Sequence, residues 1–568
     1  MKRSSSSGRA LPVLPAGLAA DAARLPPPDA AAPRVGLLTL GCDKNTVDSE
    51  RILARLRAAG AAVTTRPEEA DVVVVNTCGF IDMAKQESID TILEAVRLKE
   101  EGRVRAVVAM GCLVQRYKHE LEAELPEVDL FLGLMETDRL LPELRSRNLV
   151  PATEDVPLME RSLRILSSDT PHTAPLKISE GCDHGCAFCA IPLMRGKFRS
   201  TPVNVLVREA RELEAAGVVE LSVVSQDTTW YGRDYRRPAL HPDEENRLAT
   251  PHPDGESAAA PGRPGGTGRK GEGAGQGSGI VDHPSSLDDA DYFYGKPFPG
   301  MAGLDLSIVD RRSSIGGAVQ GEEGPVRGEM VVGRRGALPH LLRTLLAETT
   351  IPWLRLFYMY PSGITRELVE LMAREPRLLP YLDMPVQHGS DRMLRRMRRP
   401  ERRRTILERV AWLRGAVPDV VLRTTVIVGF PGERDEDFEA LIDLLEEVRF
   451  DHLGAFAYSE EEGTSAATMD GVVPPALRQE RLERLMDVQR AISQEKNEAR
   501  VGREVQVLID AAAATGATGR AWWQAPEVDG VVHLPGADVT PGRFVTVRLT
   551  SALDRDFEGL LIREDMDG

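Results

Sequence analysis

Three unbroken apolar runs, RVGLLTL (34–40), DVVVVN (71–76) and VRAVVAM (104–110), each precede a cysteine by two residues and a helix-compatible stretch beyond it. Apolar runs of this length alternating with amphipathic helices demand parallel strands covered on both faces, a small doubly wound α/β domain. The carboxyl ends of such strands open into one crevice, so Cys42, Cys78 and Cys112 are predicted to converge although 34 to 36 residues separate them. Taken singly, each thiol is most often a small buried hydrophobe. Three strand ends out of three carrying one point instead to a shared ligand.

A second βα series runs through APLKIS, VELSVVS, WLRLFYMY, YLDMPV, VVLRTTVIVGF and DHLGAFAYS. Six such units predict a partial (β/α)6 barrel with its working face at the carboxyl ends of the strands. Residues 237–336, with PGRPGGTGRKGEGAGQGSG among them, interrupt that series as a low-complexity insertion after its second strand, and the pattern resumes at ALPHLLRTLLAE. The insertion's His241, His252 and His283 have no ligand spacing and read as solvated. From 498 to 568 the pattern is all-β, with strands broken by Gly and Pro, a small β-barrel. The domain reading is therefore a disordered tail (1–33), an α/β domain (34–150), a linker (151–170), the interrupted partial barrel (171–497) and the β-barrel (498–568). At 568 residues the chain exceeds what one core supports. Apolar runs approaching the ~20 residues of a bilayer span are absent from the sequence, and the first 33 residues, broken by prolines, read as a tail rather than a secretory signal. A cytoplasmic protein is expected.

The segment SEGCDHGCAFCAIP (179–192) sets Cys182, Cys186 and Cys189 at C-x3-C-x2-C spacing on the loop after the first barrel strand. Disulfides fail as an explanation because three is odd and grouped thiols suit a reducing compartment. Zinc would want a fourth ligand, for which His184 is on hand, although structural zinc sites usually pair C-x2-C with a distant second pair. A 4Fe-4S cluster held by three thiolates keeps one iron open for a small molecule.

That loop resembles the defining motif of the radical S-adenosylmethionine (SAM) superfamily. The resemblance implies that Cys182, Cys186 and Cys189 hold a 4Fe-4S cluster whose open iron is chelated by SAM, and that one electron cleaves SAM to a 5'-deoxyadenosyl radical. The cofactor does the difficult chemistry and the barrel positions it. Other strand ends supply candidate SAM contacts: Ser225, Gln226 and Asp227 after the second strand, and Gly429 and Gly432 in VIVGFPGE, where glycine lets the backbone approach a ligand. Gln387 and His388 end another strand, and the histidine reads as structural rather than as a base.

Two thiol trios on separate domains resemble the methylthiotransferase family from 34 onward, apart from the insertion. The resemblance implies that Cys42, Cys78 and Cys112 hold a second 4Fe-4S cluster that supplies or carries sulfur, and that SAM serves as methyl donor and as radical source. LGCDKNTVDSE, NTCGFIDMAKQESID, YLDMPVQHGSDRMLRRMRRP and YSEEEGTSAA look like the RimO-type branch, which modifies the β-carbon of an aspartate on ribosomal protein S-twelve. The transfer-RNA branch typically has asparagine after the first cysteine and serine after the second, where this chain has Asp43 and Gly79. RimO-type sequences commonly carry proline at the position of Asp43, a departure that touches loop stiffness and not the ligand.

Charge gives an independent check. The chain is acidic overall at -16, and from 501 to 568 it has six arginines, no lysine and eleven carboxylates, 6 minus 11 giving -5. The family's terminal domain is of the TRAM type, which binds RNA in the transfer-RNA enzymes, and a barrel that neutralises phosphates needs a basic excess. The acidic sign suits docking on a basic ribosomal protein, with nucleic acid not the primary partner. Trp522 and Trp523 offer base stacking as the alternative, though neighbours on a strand face opposite ways. An electron donor and a sulfur donor are further implied partners. The rival readings are transfer-RNA adenosine methylthiolation and, from another class, a non-catalytic iron-sulfur protein in ribosome assembly or electron transfer.

Overall fold

The computed structural model describes residues 32–64, 66–151, 164–167, 170–235 and 337–565, all within one compact unit. The expected disordered tail, but for its last two residues, and the low-complexity insertion lie outside the described residues. So does much of the expected linker.

The first domain is a five-stranded parallel sheet in the order β2-β1-β3-β4-β5, from strands β1 (Arg34–Thr39), β2 (Ala62–Thr64), β3 (Val72–Thr77), β4 (Ala106–Gly111) and β5 (Leu130–Gly133). Its order reverses between β1 and β3, which makes the carboxyl ends of those strands the crevice of a doubly wound fold. β3 is buried along its whole length because its valines alternate between two cores, Val72 and Val74 under one helical layer and Val73 and Val75 under the other. The helices Asp43–Ala58 and Cys112–Glu124 start at or next to a cysteine, and Asp82–Glu100 begins four residues after Cys78.

The central sheet is six-stranded and parallel, in the order β13-β12-β11-β10-β9-β6, with β6 (Thr173–Lys177), β9 (Glu220–Val224), β10 (Trp353–Leu356), β11 (Leu378–Asp383), β12 (Val421–Val428) and β13 (His452–Ala457). A two-stranded ribbon, β7 (Ser179–Glu180) with β8 (Arg199–Ser200), brackets the cysteine loop. Alternation sorts the inner face from the outer: Leu221, Val223, Leu354, Leu382 and Leu422 pack under helices, whereas Val224, Trp353, Tyr381 and Val421 line the opposite face, in a core continuous with that of the last domain.

That domain is a closed five-stranded barrel, β14 (Glu504–Ala513), β15 (Gly516–Ala521), β16 (Val532–Pro535), β18 (Phe557–Glu564) and β17 (Phe544–Ala552). It docks under the amino ends of the central strands. Glu220 at the start of β9 receives Arg355 Nε (2.8 Å) and Arg520 Nη1 (2.6 Å), and Tyr381 Oη donates to Asp529 Oδ2 (2.6 Å). The opposite, carboxyl ends are thus left to the site. Trp522 and Trp523 correct the strand expectation: they form the turn after β15, in edge contact with each other, with Trp523 buried in the core and Trp522 half-buried against it. Among the described residues no helix is long and apolar enough to cross a membrane.

Candidate functional site

The amino-terminal trio is assembled by glycine. Gly41 has φ +97°, and a Cβ on it would stand 2.9 Å from both Cβ and Sγ of Cys78. A Cβ on Gly79 would lie 2.8 Å from Leu113 Cα and 3.0 Å from the Cys112 carbonyl carbon. Three strand-end loops therefore touch because two of them lack side chains where they meet. Asn45, one turn into the first helix, ties them: its Nδ2 donates to the carbonyls of Leu40 (2.8 Å) and Thr77 (3.1 Å), and its Oδ1 faces Cys112 Sγ at 3.8 Å. Ser88 accepts from the Cys78 amide at 2.9 Å. Burial raises the Cys78 thiol and pushes that of Cys112 up to about 12, with neighbouring Cys42 adding to both and Arg195 opposing.

The central trio is scaffolded from outside its loop. Gly181 (φ +71°) is so close to the Lys197 carbonyl oxygen that a Cβ would lie 2.1 Å away. His184 Nε2 bonds Asp227 Oδ2 at 2.7 Å, and its ring lies parallel to Tyr360 with centroids 4.2 Å apart. Ala187 N donates to the Met397 carbonyl (2.9 Å) and its own carbonyl accepts from Ala466 N (2.8 Å). Cys186 Sγ meets Tyr360 Oη at 3.6 Å and accepts from Arg399 Nη1 at 3.8 Å. Burial pushes the thiols of Cys182 and Cys189 up to about 12.

The two trios are neighbours. Cys112 packs with Ala190 and Met194, the first of which follows Cys189 directly. From the helix Ile191–Arg195, Arg195 Nη2 donates to Asn45 Oδ1 (2.6 Å) while its Nη1 pairs with Glu180 (2.8 Å) and Asp48 (3.2 Å). Lys44 Nζ donates to the Ser225 carbonyl at 3.3 Å and lies over the Tyr358 ring, 3.3 Å from its centroid, with its ammonium pKa lowered by burial against the pull of Cys42. A third strap comes from the loop after β13: Glu461 binds Lys85 (2.7 Å) and Arg116 (3.0 Å), and Arg116 also holds the Gly79 carbonyl (3.0 Å). Lys44, Asn45, Arg195 and Glu461 were not singled out by the sequence reading, although the first two directly follow the Cys42-Asp43 pair.

Ser225 is fully buried, its hydroxyl bonded to that of Ser179, and Gln226 is half-buried beside it. Asp227 is spent on His184 and on Thr229, whose amide (2.9 Å) and hydroxyl (2.6 Å) it accepts. Gly429 (φ +70°) donates to Glu433 Oε2 (2.9 Å) and is crowded by the Arg478 side chain; Gly432 (φ +82°) is crowded by Arg396. His388 is buried between Glu433 (3.2 Å) and the Ser390 amide (3.0 Å), as a structural histidine should be.

All six cysteines are free of disulfides, and two separate sets of three soft sulfur donors suit iron-sulfur clusters. Among the described residues no three His, Cys, Asp or Glu side chains gather as ligands of one metal ion. A cubane makes no such demand, since each thiolate binds a different iron.

Three family models match: the uncharacterized protein family UPF0004 over 34–133, the radical SAM superfamily over 176–257 and 323–445, and the TRAM domain over 501–562. With a six-stranded parallel half-barrel and its cysteine loop at the carboxyl ends, the chain is a radical SAM protein that carries SAM and 4Fe-4S chemistry. The ribosomal protein uS12 methylthiotransferase RimO of Symbiobacterium thermophilum is 38% identical over 93% of this chain and 90% of its own length. Its counterpart from Desulforudis audaxviator is 39% identical over 92% and 96%. The chain belongs to the RimO family of methylthiotransferases. Among solved structures the cobalamin-dependent SAM radical enzyme OxsB is a looser likeness, 12% identical over 81% of this chain and 56% of its own, with a TM-score of 0.42.

Proposed function

We propose that this chain installs a methylthio group on the β-carbon of an aspartate of ribosomal protein uS12. Cys182, Cys186 and Cys189 hold the SAM-binding cluster, and Cys42, Cys78 and Cys112 hold the cluster that provides sulfur. The observation that carries this reading is the contact between the trios, Cys112 against Ala190 and Met194 with Arg195 bridging to Asn45. When bound, the cofactors supply a hydrogen-abstracting radical and transferable sulfur, which an unactivated C–H bond requires because it offers no acidic proton.

The chain's own residues position and shield. His184, held by Asp227, and Tyr360 form an aromatic wall beside Cys186. Arg399, buried and above the Tyr360 ring at 3.7 Å, sets positive charge next to that sulfur. In this reading Ser225 and Gln226 are the strand-end groups that meet SAM, with Gly429 and Gly432 as the second edge. Asp227 acts through His184. The readings of 34–150, 171–497 and 498–568 as the sulfur, radical and docking domains belong to this proposal, as do a cytoplasmic setting and separate electron and sulfur donors.

Docking by the last barrel has less charge behind it than composition implies. Glu504, Glu527, Asp538, Asp554, Glu558 and Glu564 are exposed against Arg503, Arg543, Arg548, Arg555 and Arg563, while Asp510 and Asp529 are spent internally. The barrel has no basic excess for phosphates, which favours protein over RNA. Anaerobically reconstituted protein given SAM, reductant and a uS12 peptide is expected to add one methylthio group in place of one hydrogen, on the aspartate. No mass gain with SAM-cleaving clusters, or a gain on transfer RNA instead, would overturn the assignment.

A further inference from the structure

Eight lysine or arginine side chains are buried among the described residues. Seven have a carboxylate at ion-pair distance, as Arg164 has Glu50 and Glu209, Lys177 has Asp48, and Arg355 has Glu220. Lys44 is the eighth. It is 4% exposed, and its contacts are one hydrogen bond to the Ser225 carbonyl and the Tyr358 ring face, with no ion pair. An ammonium has three donors, and a buried cation without its anion is costly. Two of the donors therefore await an acceptor.

Its place says what kind. Ser225 follows β9 and Tyr358 lies two residues past the end of β10, both at the carboxyl ends of the central strands, while Lys44 itself is two residues from half-buried Cys42. The head group thus lies where the radical loop and the sulfur trio meet. Asp43 and Asp383 act on it electrostatically without an ion pair to it among the described residues, and Asp383 is already held by Arg423 (3.0 Å) and the Tyr358 amide (3.0 Å).

We propose that Lys44 receives the side-chain carboxylate of the substrate aspartate. The clamp would hold the carbon bonded to that carboxyl, the β-carbon, in the mouth between the two trios, where a short positional error costs rate steeply. This inference rests on the reading of the substrate as an aspartate. It makes Lys44 a specificity-determining residue, since a peptide with a neutral side chain leaves the cation unpaired.

The test compares holoenzyme and its Lys44→Met variant on a uS12 peptide and on the same peptide with asparagine for the aspartate. Binding is measured calorimetrically without reductant, beside SAM affinity and iron content. The native holoenzyme is expected to bind the aspartate peptide about ten- to a hundredfold more tightly than the asparagine peptide. Lys44→Met is expected to bind both alike and to keep its iron and SAM affinity, with KM for the aspartate peptide raised more than kcat is lowered. Equal binding of the two peptides by the native protein overturns the proposal even if the variant does not fold. A retained preference in the variant, with weakened SAM or lost iron, also overturns it and assigns Lys44 to a cofactor. If the native enzyme methylthiolates neither peptide, the aspartate reading itself has failed and the clamp falls with it.

Discussion

The two cysteine trios solve one chemical problem by opposite means. The central trio occupies eight consecutive residues and is held from outside, by Asp227 on His184, by Met397 on Ala187 and by Lys197 against Gly181. The amino-terminal trio is spread over 71 positions from Cys42 to Cys112 and is held from within, by strand order and by glycines at the points of contact. A local motif depends on the scaffold that closes on it, as at Gly181. A motif made by topology depends on the smallness of the residues between its ligands.

The largest effect expected is a division of labour. Cys186→Ala is expected to abolish SAM cleavage, read as 5'-deoxyadenosine, because the radical cluster loses a ligand. Cys78→Ala is expected to keep cleavage measurable while methylthio transfer stops. If both variants lose cleavage equally, the two trios are not functionally distinct.

Next comes the glycine contrast. Gly41→Ala combines a positive φ with a clash against Cys78 Sγ and is expected to cost about 2–4 kcal/mol of stability. Gly185→Ala in the central loop meets nothing within 4 Å and is expected to be near neutral. Denaturant midpoints and iron content check both; equal losses would erase the distinction between the loops.

The smallest effect concerns protons. Burial pushes the thiols of Cys112, Cys182 and Cys189 up to about 12, above the value near 8.5 of an unfolded chain. The folded cluster-free chain keeps protons that the unfolded chain releases, so this stability is present below about pH 8.5 and is lost as pH rises toward 12. A loss of about 2–3 kcal/mol, about 0.8 for each thiol, is expected by about pH 9 in the cluster-free protein, with a flatter slope once iron holds the thiolates. Urea midpoints across that range measure it.

Legibility followed the same divide. The C-x3-C-x2-C loop is visible in one glance at the sequence, and all six central strands sit in runs of apolar residues bounded by polar helices. The amino-terminal trio needed the inference that parallel strands share an edge. β2 and β5 escaped notice because three or four residues make too short a pattern. Arg195 and Glu461 carry no signal of their own, since a buried ion pair between distant segments has no spacing to read. Lys44 did have one, a cation immediately after a predicted ligand loop.

The most direct test of the facing trios is iron per chain in native protein and in a variant with Cys42, Cys78 and Cys112 all changed to Ala. The account predicts about eight irons falling to about four, with the remaining cluster still perturbed spectroscopically by SAM. An unchanged iron content, or loss of the SAM response along with the iron, would contradict it.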